Sequence, residues 1–219
     1  MKVKVCGMKY SENMSRVATL RPDYMGFIFW EPSKRYFKGT IPKLPKNIKK
    51  VGVFVDASHE EILRKINLHK LRVIQLHGKE DADYCQQLRV AAAAMDTKIS
   101  IIKVFSIKNK FNFDLLKEFE SVCDYFLFDT KGELPGGNGY VFNWEVLKGY
   151  SSRTPYFLSG GIGLKETDKL TKFLGSTASE FCHAIDVNSK FETAPGEKNT
   201  EMLATFIQTI RQFNDTNKD

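Results

Sequence analysis

The chain has no uninterrupted apolar run approaching the ~20 residues needed to cross a bilayer, so no membrane span is expected. It opens without a basic segment followed by an apolar one, and the expectation is a cytoplasmic protein. Cysteine is sparse: Cys6, Cys85, Cys123 and Cys182 lie far apart and form no CxxC pair. That removes the usual signature of a zinc site or dithiol redox motif, and isolated thiols suit a reducing compartment. Low-complexity linkers and abrupt shifts of composition are also missing, so residues 1–219 read as one domain. Acidic residues fall short of basic ones, leaving a formal charge of +7. The basic residues are scattered, with local density from Lys43 to Lys50. That run has no interleaved aromatics and no nucleic-acid-binding signature, so it reads as a solvated surface and no nucleic-acid partner is expected.

What is present is apolar material for a sizeable core: 42% hydrophobic residues, with 17 Phe among them. Strand candidates recur at Val3–Cys6, Tyr24–Phe29, Val51–Val55, Val73–Leu76, Ile99–Val104, Tyr125–Asp129, Tyr156–Ser159 and Ala184–Val187. Helical spacing marks Ser11–Leu20, with Met14, Val17 and Ala18 on one face. A capping box at Ser58 and Glu61 starts another helix, striped by Ile62, Leu63 and Ile66. Asp81–Ala94, Leu164–Leu174 and Thr200–Phe213 are the remaining clear helices. Pro32–Lys50 carries three prolines and has room only for a short helix. Asn109–Val122 is ambiguous, although Phe113, Leu115, Leu116 and Phe119 need burial.

Strands alternating with helices imply parallel βα units, and eight of them imply a closed (β/α)8 barrel. A flavodoxin-like open sheet would need five strands and an early glycine-rich phosphate loop. Here the glycine-rich turns come late. In such a barrel every strand's carboxyl end faces one mouth, where chemistry is placed.

Polar groups collect at those ends. Cys6 closes the first strand and Gly7 ends it; a buried Cys is often a small apolar filler. Arg35 follows the second strand, with a guanidinium suited to clamping a carboxylate or phosphate. Gln75 and His77 share a face at the end of the fourth, where His77 also has the bland reading of a structural hydrogen-bonder. The apolar run Tyr125–Phe128 ends in Asp129, either a cap or an acid whose pKa burial would raise toward neutrality. Lys131–Gly139 after it has four glycines in nine positions, an ordinary turn or a flap over the mouth. Gly160 and Gly161 follow the seventh strand, and Asp186 and Ser189 the eighth; such turns build the phosphate cradle of these barrels.

These blocks resemble the phosphoribosylanthranilate isomerase family of tryptophan biosynthesis. The matching stretches are Val5–Met8, Gly26–Phe29 with Ser33–Tyr36, Gly52–Val55, Val73–Gly78, Asp129 with Gly136–Gly139, Leu158–Ile162, Ile185–Ser189 and Pro195–Lys198. They fall in the family's order over essentially the whole chain. Two departures are Asn188-Ser189-Lys190, where the family has a second Ser and then Gly, and Asn143, where Asp is common. The resemblance implies an Amadori rearrangement with Asp129 as acid and Cys6 as base. Arg35 would hold the anthranilate carboxylate and Asp186 a ribose hydroxyl, with Gln75 and His77 also facing substrate. Gly160, Gly161 and Ser189 would hold phosphate. The partner implied is a small-molecule phosphosugar, with no cofactor and no metal, on a monomer or homodimer.

Other phosphosugar barrels fit less well. Indole-glycerol-phosphate synthase needs lysines at strand ends, and pentose-phosphate epimerases need metal-binding His and Asp, whereas this chain has 4 His. A non-catalytic phosphate- or nucleic-acid-binding protein on a decayed barrel is the rival of another class. Cys6 and Asp129 are both intact.

Overall fold

The computed structural model describes residues 1–108, 110–130 and 143–216. Eight parallel strands close into a barrel in the order β1 to β8: β1 (Lys2–Val5), β2 (Tyr24–Ile28), β3 (Lys49–Phe54), β4 (Val73–Leu76), β5 (Ser100–Ile107), β6 (Tyr125–Thr130), β7 (Tyr156–Leu158) and β8 (Cys182–Val187). The helices between them are α1 (Ser11–Thr19), α2 (His59–His69), α3 (Ala82–Ala94) and α4 (Thr167–Leu174), and α5 (Thr200–Thr216) follows β8. The closed (β/α)8 barrel expected from the alternation is therefore the architecture observed. Among the described residues no helix is long and apolar enough to cross a membrane.

Successive strand residues point to opposite faces, so each strand feeds two layers. Outward residues such as Val3, Val5, Ile74 and Phe126 meet buried helix residues, among them Met14, Val17, Ile62, Leu88 and Phe206. Inward residues Tyr24, Val51, Val53, Val73, Ile102, Val104, Leu127, Phe157 and Ala184 fill the barrel. Both faces are covered, which is why the strands read as nearly continuous apolar runs. The caps follow the sequence: Ser58 Oγ accepts from Glu61 N at 3.2 Å, and Asp81 Oδ1 from Tyr84 N at 2.8 Å. Asn143 Oδ1 accepts from Glu145 N at 3.2 Å, so the amide starts its short 3-10 turn as an aspartate would.

The ambiguous stretches resolve differently from expectation. Pro32–Lys50 holds no helix; its prolines leave turns, a bridge between Ile28 and Tyr36 ties it to the sheet, and its last two residues already belong to β3. Phe113–Phe119 is a 3-10 helix that buries Leu116 and Phe119 but leaves Leu115 52% exposed, because a turn of three residues faces only one side inward. A hairpin, β9 (Glu192–Ala194) with β10 (Glu197–Lys198), follows β8 and was not anticipated. The glycine-rich segment 131–139 lies outside the described residues.

Candidate active site

The thiol at the end of β1 sits where the local backbone makes room for it. Cys6 N donates to Val187 O at 2.9 Å, extending the β1–β8 ladder by one residue. On the other side, a Cβ at Gly26 of β2 would fall 2.8 Å from Cys6 Sγ, so glycine leaves space for the sulfur. Gly7 then turns the chain at φ +74, a conformation that strains other residues. Cys6 is 5% exposed, and that remnant opens into a cavity of about 660 Å³ at the carboxyl ends of the strands.

Lys4, two residues earlier on the same inward face, is completely buried and meets Asp186 Oδ1 at 2.9 Å. The two residues are direct cross-strand partners on β1 and β8. Burial alone would lower the Lys4 pKa, but Asp186 and Cys6 raise it above the ordinary value, so the ammonium stays charged. Burial pushes the Cys6 thiol up; Lys4 and Lys198 pull it down and Asp186 pushes it up further.

Across the mouth, Asp129 also lines the cavity and is 6% exposed. Burial raises its pKa to about 6, and the nearby Asp186 adds to the rise; the Thr130 amide, Ser159 and Lys4 pull it back. His77 Nε2 lies 3.7 Å from Asp129 Oδ2. Burial, with Lys4 and Lys103, lowers the His77 pKa to about 3, so the imidazole is neutral at ordinary pH. Gln75 faces the same cavity, and its buried Oε1 has no hydrogen-bond partner among the described residues. A buried polar atom left unpaired is costly, which marks it as an acceptor awaiting a ligand donor or water.

The late turns converge on one rim. Gly160 and Gly161 have φ +95 and +67, and both line the cavity with Ser189 and Lys190. A Cβ at Gly160 would run into Thr130 Oγ1 and come within 2.7 Å of its backbone nitrogen. The glycine there is required by the approach of β6 as well as by any anion.

Arg35 is not among the residues lining the cavity, where Trp30 and Ser33 represent its loop. Its Nε donates to Glu192 Oε1 and Oε2 at 2.9 and 3.0 Å, and Nη2 to Oε2 at 2.7 Å. The Nε side of the guanidinium is thus filled by a carboxylate of the chain itself, leaving Nη1 and one Nη2 hydrogen for another acceptor. Asp186 does line the cavity, but with Oδ1 committed to Lys4. Among the described residues no group of three or more His, Cys, Asp or Glu side chains is placed to hold a metal ion.

A family model described as N-(5'-phosphoribosyl)anthranilate isomerase matches residues 3–209. The chain belongs to this isomerase family.

Its relatives include the N-(5'-phosphoribosyl)anthranilate isomerases of Phocaeicola vulgatus, 40% identical over 97% of this chain and 98% of that protein, and of Parabacteroides distasonis, 39% identical over 96% and 93%. The phosphoribosylanthranilate isomerase of Thermotoga maritima superposes with a TM-score of 0.76 at 27% identity, covering 97% of this chain and 99% of that one. An isomerase of the family solved with reduced 1-(o-carboxyphenylamino)-1-deoxyribulose 5-phosphate superposes with a TM-score of 0.74 at 26% identity, with the same coverage.

In this phosphoribosylanthranilate isomerase family member, seven of the expected site positions share one cavity besides Cys6, namely Gln75, His77, Asp129, Gly160, Gly161, Asp186 and Ser189. Among the charges with buried side chains that the sequence does not announce, three stand near the site: Lys4, Lys198 and Glu192. Lys4 passed for the polar side of a half-buried strand, yet its i, i+2 spacing to Cys6 was a usable signal. Lys198 and Glu192 sit on the hairpin after β8, where nothing local announces burial.

Proposed function

We propose that Cys6 and Asp129 carry the isomerisation at this mouth, converting N-(5-phosphoribosyl)anthranilate to 1-(2-carboxyphenylamino)-1-deoxyribulose 5-phosphate. The chain is an intramolecular aldose–ketose isomerase of tryptophan biosynthesis, the third step from chorismate. The observation that carries the assignment of roles is the placement of a thiol and a carboxyl with an upward-shifted pKa, about 6, on one cavity. A pKa near neutrality lets Asp129 hold a proton and still release it.

Protonated Asp129 donates to the ribose ring oxygen, and the C1–O bond breaks as the anilino nitrogen forms an iminium. The Cys6 thiolate takes the proton from C2; the released pair makes the C1–C2 double bond and neutralises the nitrogen. The resulting enolamine gains a proton at C1 and loses one from the C2 hydroxyl, giving the ketone. Gln75 Oε1 is an acceptor for a sugar hydroxyl, and neutral His77 orients the Asp129 side. Asp186 binds a hydroxyl while held by Lys4. Backbone amides at Gly160 and Gly161, with Ser189, take the phosphate. Arg35 meets the anthranilate carboxylate through the outer side of the guanidinium, Nη1 and the second Nη2 hydrogen, since Glu192 holds the Nε side.

The same reading takes residues 1–219 as one catalytic domain, a cytoplasmic location in keeping with four free buried cysteines, and a monomer or homodimer. Purified protein should abolish the fluorescence of phosphoribosylanthranilate with formation of the ketose. A catalytically silent protein that titrates with nucleic acid would instead favour the decayed-barrel rival.

A further inference from the structure

We propose that Lys4 and Lys198, two buried ammonium groups next to Cys6, are positioning residues for its thiolate. The inference rests on the reading of Cys6 as the base and says what makes that base available.

Lys198 is 2% exposed. Its Nζ donates to Asn188 Oδ1 at 2.7 Å and to Glu192 Oε1 at 2.6 Å. The same Asn188 oxygen packs against the residue after Cys6: a Cβ on Gly7 would lie 2.6 Å from it. The buried side chain of Asn13 fixes the Lys198 backbone from both sides, Nδ2 to Lys198 O and Lys198 N to Oδ1, each at 2.8 Å. These contacts fix the Lys198 ammonium on Asn188, which itself lines the mouth.

With Asp129 holding the proton its acid role needs, the buried charges balance only when Cys6 is a thiolate. Glu192 serves two cations, Lys198 and the Arg35 fork, while Asp186 serves Lys4. Three buried or half-buried cations therefore face two carboxylates. His77 of β4 is neutral and supplies no charge, and Asp129 of β6 supplies one only when ionised, above about pH 6, not in the protonated form that the acid role requires. Lys190 on the rim adds only more positive charge. A buried excess cation is costly, and a Cys6 thiolate neutralises it. Both lysines pull the Cys6 pKa down against burial and Asp186. Lys198 itself is lowered to about 8 by burial, with Glu192 and Cys6 holding it up; it remains mainly charged at neutral pH.

The test is the rate of Cys6 alkylation by iodoacetamide against pH, read by mass spectrometry of the Cys6 peptide so that the other thiols do not interfere. It is measured for wild type, Lys198→Met, and the charge-neutral pair Lys4→Met with Asp186→Asn, which avoids leaving Asp186 buried alone. Nearby opposite charges move pKa values by ~1–3 units. Lys198→Met should therefore shift the Cys6 profile upward and slow alkylation near neutral pH by about tenfold or more, with kcat falling and KM largely retained; the Lys4 and Asp186 pair should shift it upward by less, because losing Asp186 offsets part of the loss of Lys4, and should raise KM as well through the lost hydroxyl contact. Folding is checked by thermal melting, and Lys198→Gln stands in if the Met variant fails to fold. A folded Lys198 variant with an unshifted Cys6 profile overturns the proposal. Full turnover in Cys6→Ser would remove the base reading instead, which alkylation does not measure.

Discussion

His77 Nε2 lies 3.7 Å from Asp129 Oδ2, and both side chains are nearly closed off from solvent. The geometry is that of an ion pair, but the charges are not: His77 titrates at about 3 and Asp129 at about 6. At neutral pH the pair is a neutral imidazole beside a carboxyl group part-way through its titration. A carboxyl that burial has raised is the form an acid needs.

The pH profile of kcat/KM follows from these directions. The acid must be protonated, which favours pH below about 6, and Cys6 must be ionised, which favours pH above its raised pKa. Active enzyme is thus the minority protonation state. kcat/KM should rise up to about pH 6, stay level, and fall above the Cys6 pKa, with the acid limb reporting Asp129. In Asp129→Asn the residual activity should lose the bend near pH 6. A bend that persists there belongs to another group.

The Lys4–Asp186 pair makes a stability prediction. Removing one partner of a buried pair typically costs ~3–5 kcal/mol, while replacing both by apolar groups of similar volume is near neutral. Asp186→Ala should melt well below wild type, and Lys4→Met with Asp186→Leu should recover most of the loss. Additive losses in the double variant would mean that the two side chains are stabilised independently.

The barrel was legible because parallel strands covered on both faces write themselves as apolar runs, and helices as stripes with caps at Ser58 and Asp81. Cys6 and Asp129 were legible because each breaks such a run at its carboxyl end. Lys4 was not, since a lysine between Val3 and Val5 looks the same whether the inner face meets water or Asp186. Arg35 shows a different limit. Its guanidinium suits a carboxylate or phosphate, and one carboxylate it grips, Glu192, comes 157 residues later from an unanticipated hairpin. Long-range pairing of this kind leaves no periodicity to read.

The phosphate rim is best tested away from Gly160. A side chain there collides with Thr130, so Gly160→Asp would confound a fold defect with lost binding. Ser189→Ala and Lys190→Ala should raise KM with kcat little changed, and inorganic phosphate should compete with substrate. A hydroxyl-for-methyl loss corresponds to ~0.5–1.5 kcal/mol, or about a two- to tenfold change for Ser189→Ala. Equal use of a dephosphorylated substrate would contradict the assignment of this rim.

Arg35 separates two roles. Arg35→Met leaves Glu192 with Lys198 alone and should lower the melting temperature; a lost charge-assisted hydrogen bond to substrate, ~1.5–3 kcal/mol, should also cost about 10- to 150-fold in kcat/KM. Arg35→Lys keeps the charge but not the geometry and should fall between. With a substrate analogue lacking the anthranilate carboxylate, the catalytic part of the loss should disappear and the melting shift remain. Equal kinetic losses with both substrates would leave Arg35 a purely structural partner of Glu192.

Turnover of Cys6→Ser, followed by the loss of phosphoribosylanthranilate fluorescence, bears most directly on the assignment of the base. Serine keeps the size of the side chain but not its acidity, so turnover should fall by about 10²–10⁴-fold while a reduced product analogue still binds near its wild-type affinity. Wild-type turnover in that variant would return Cys6 to a small residue filling the space above Gly26.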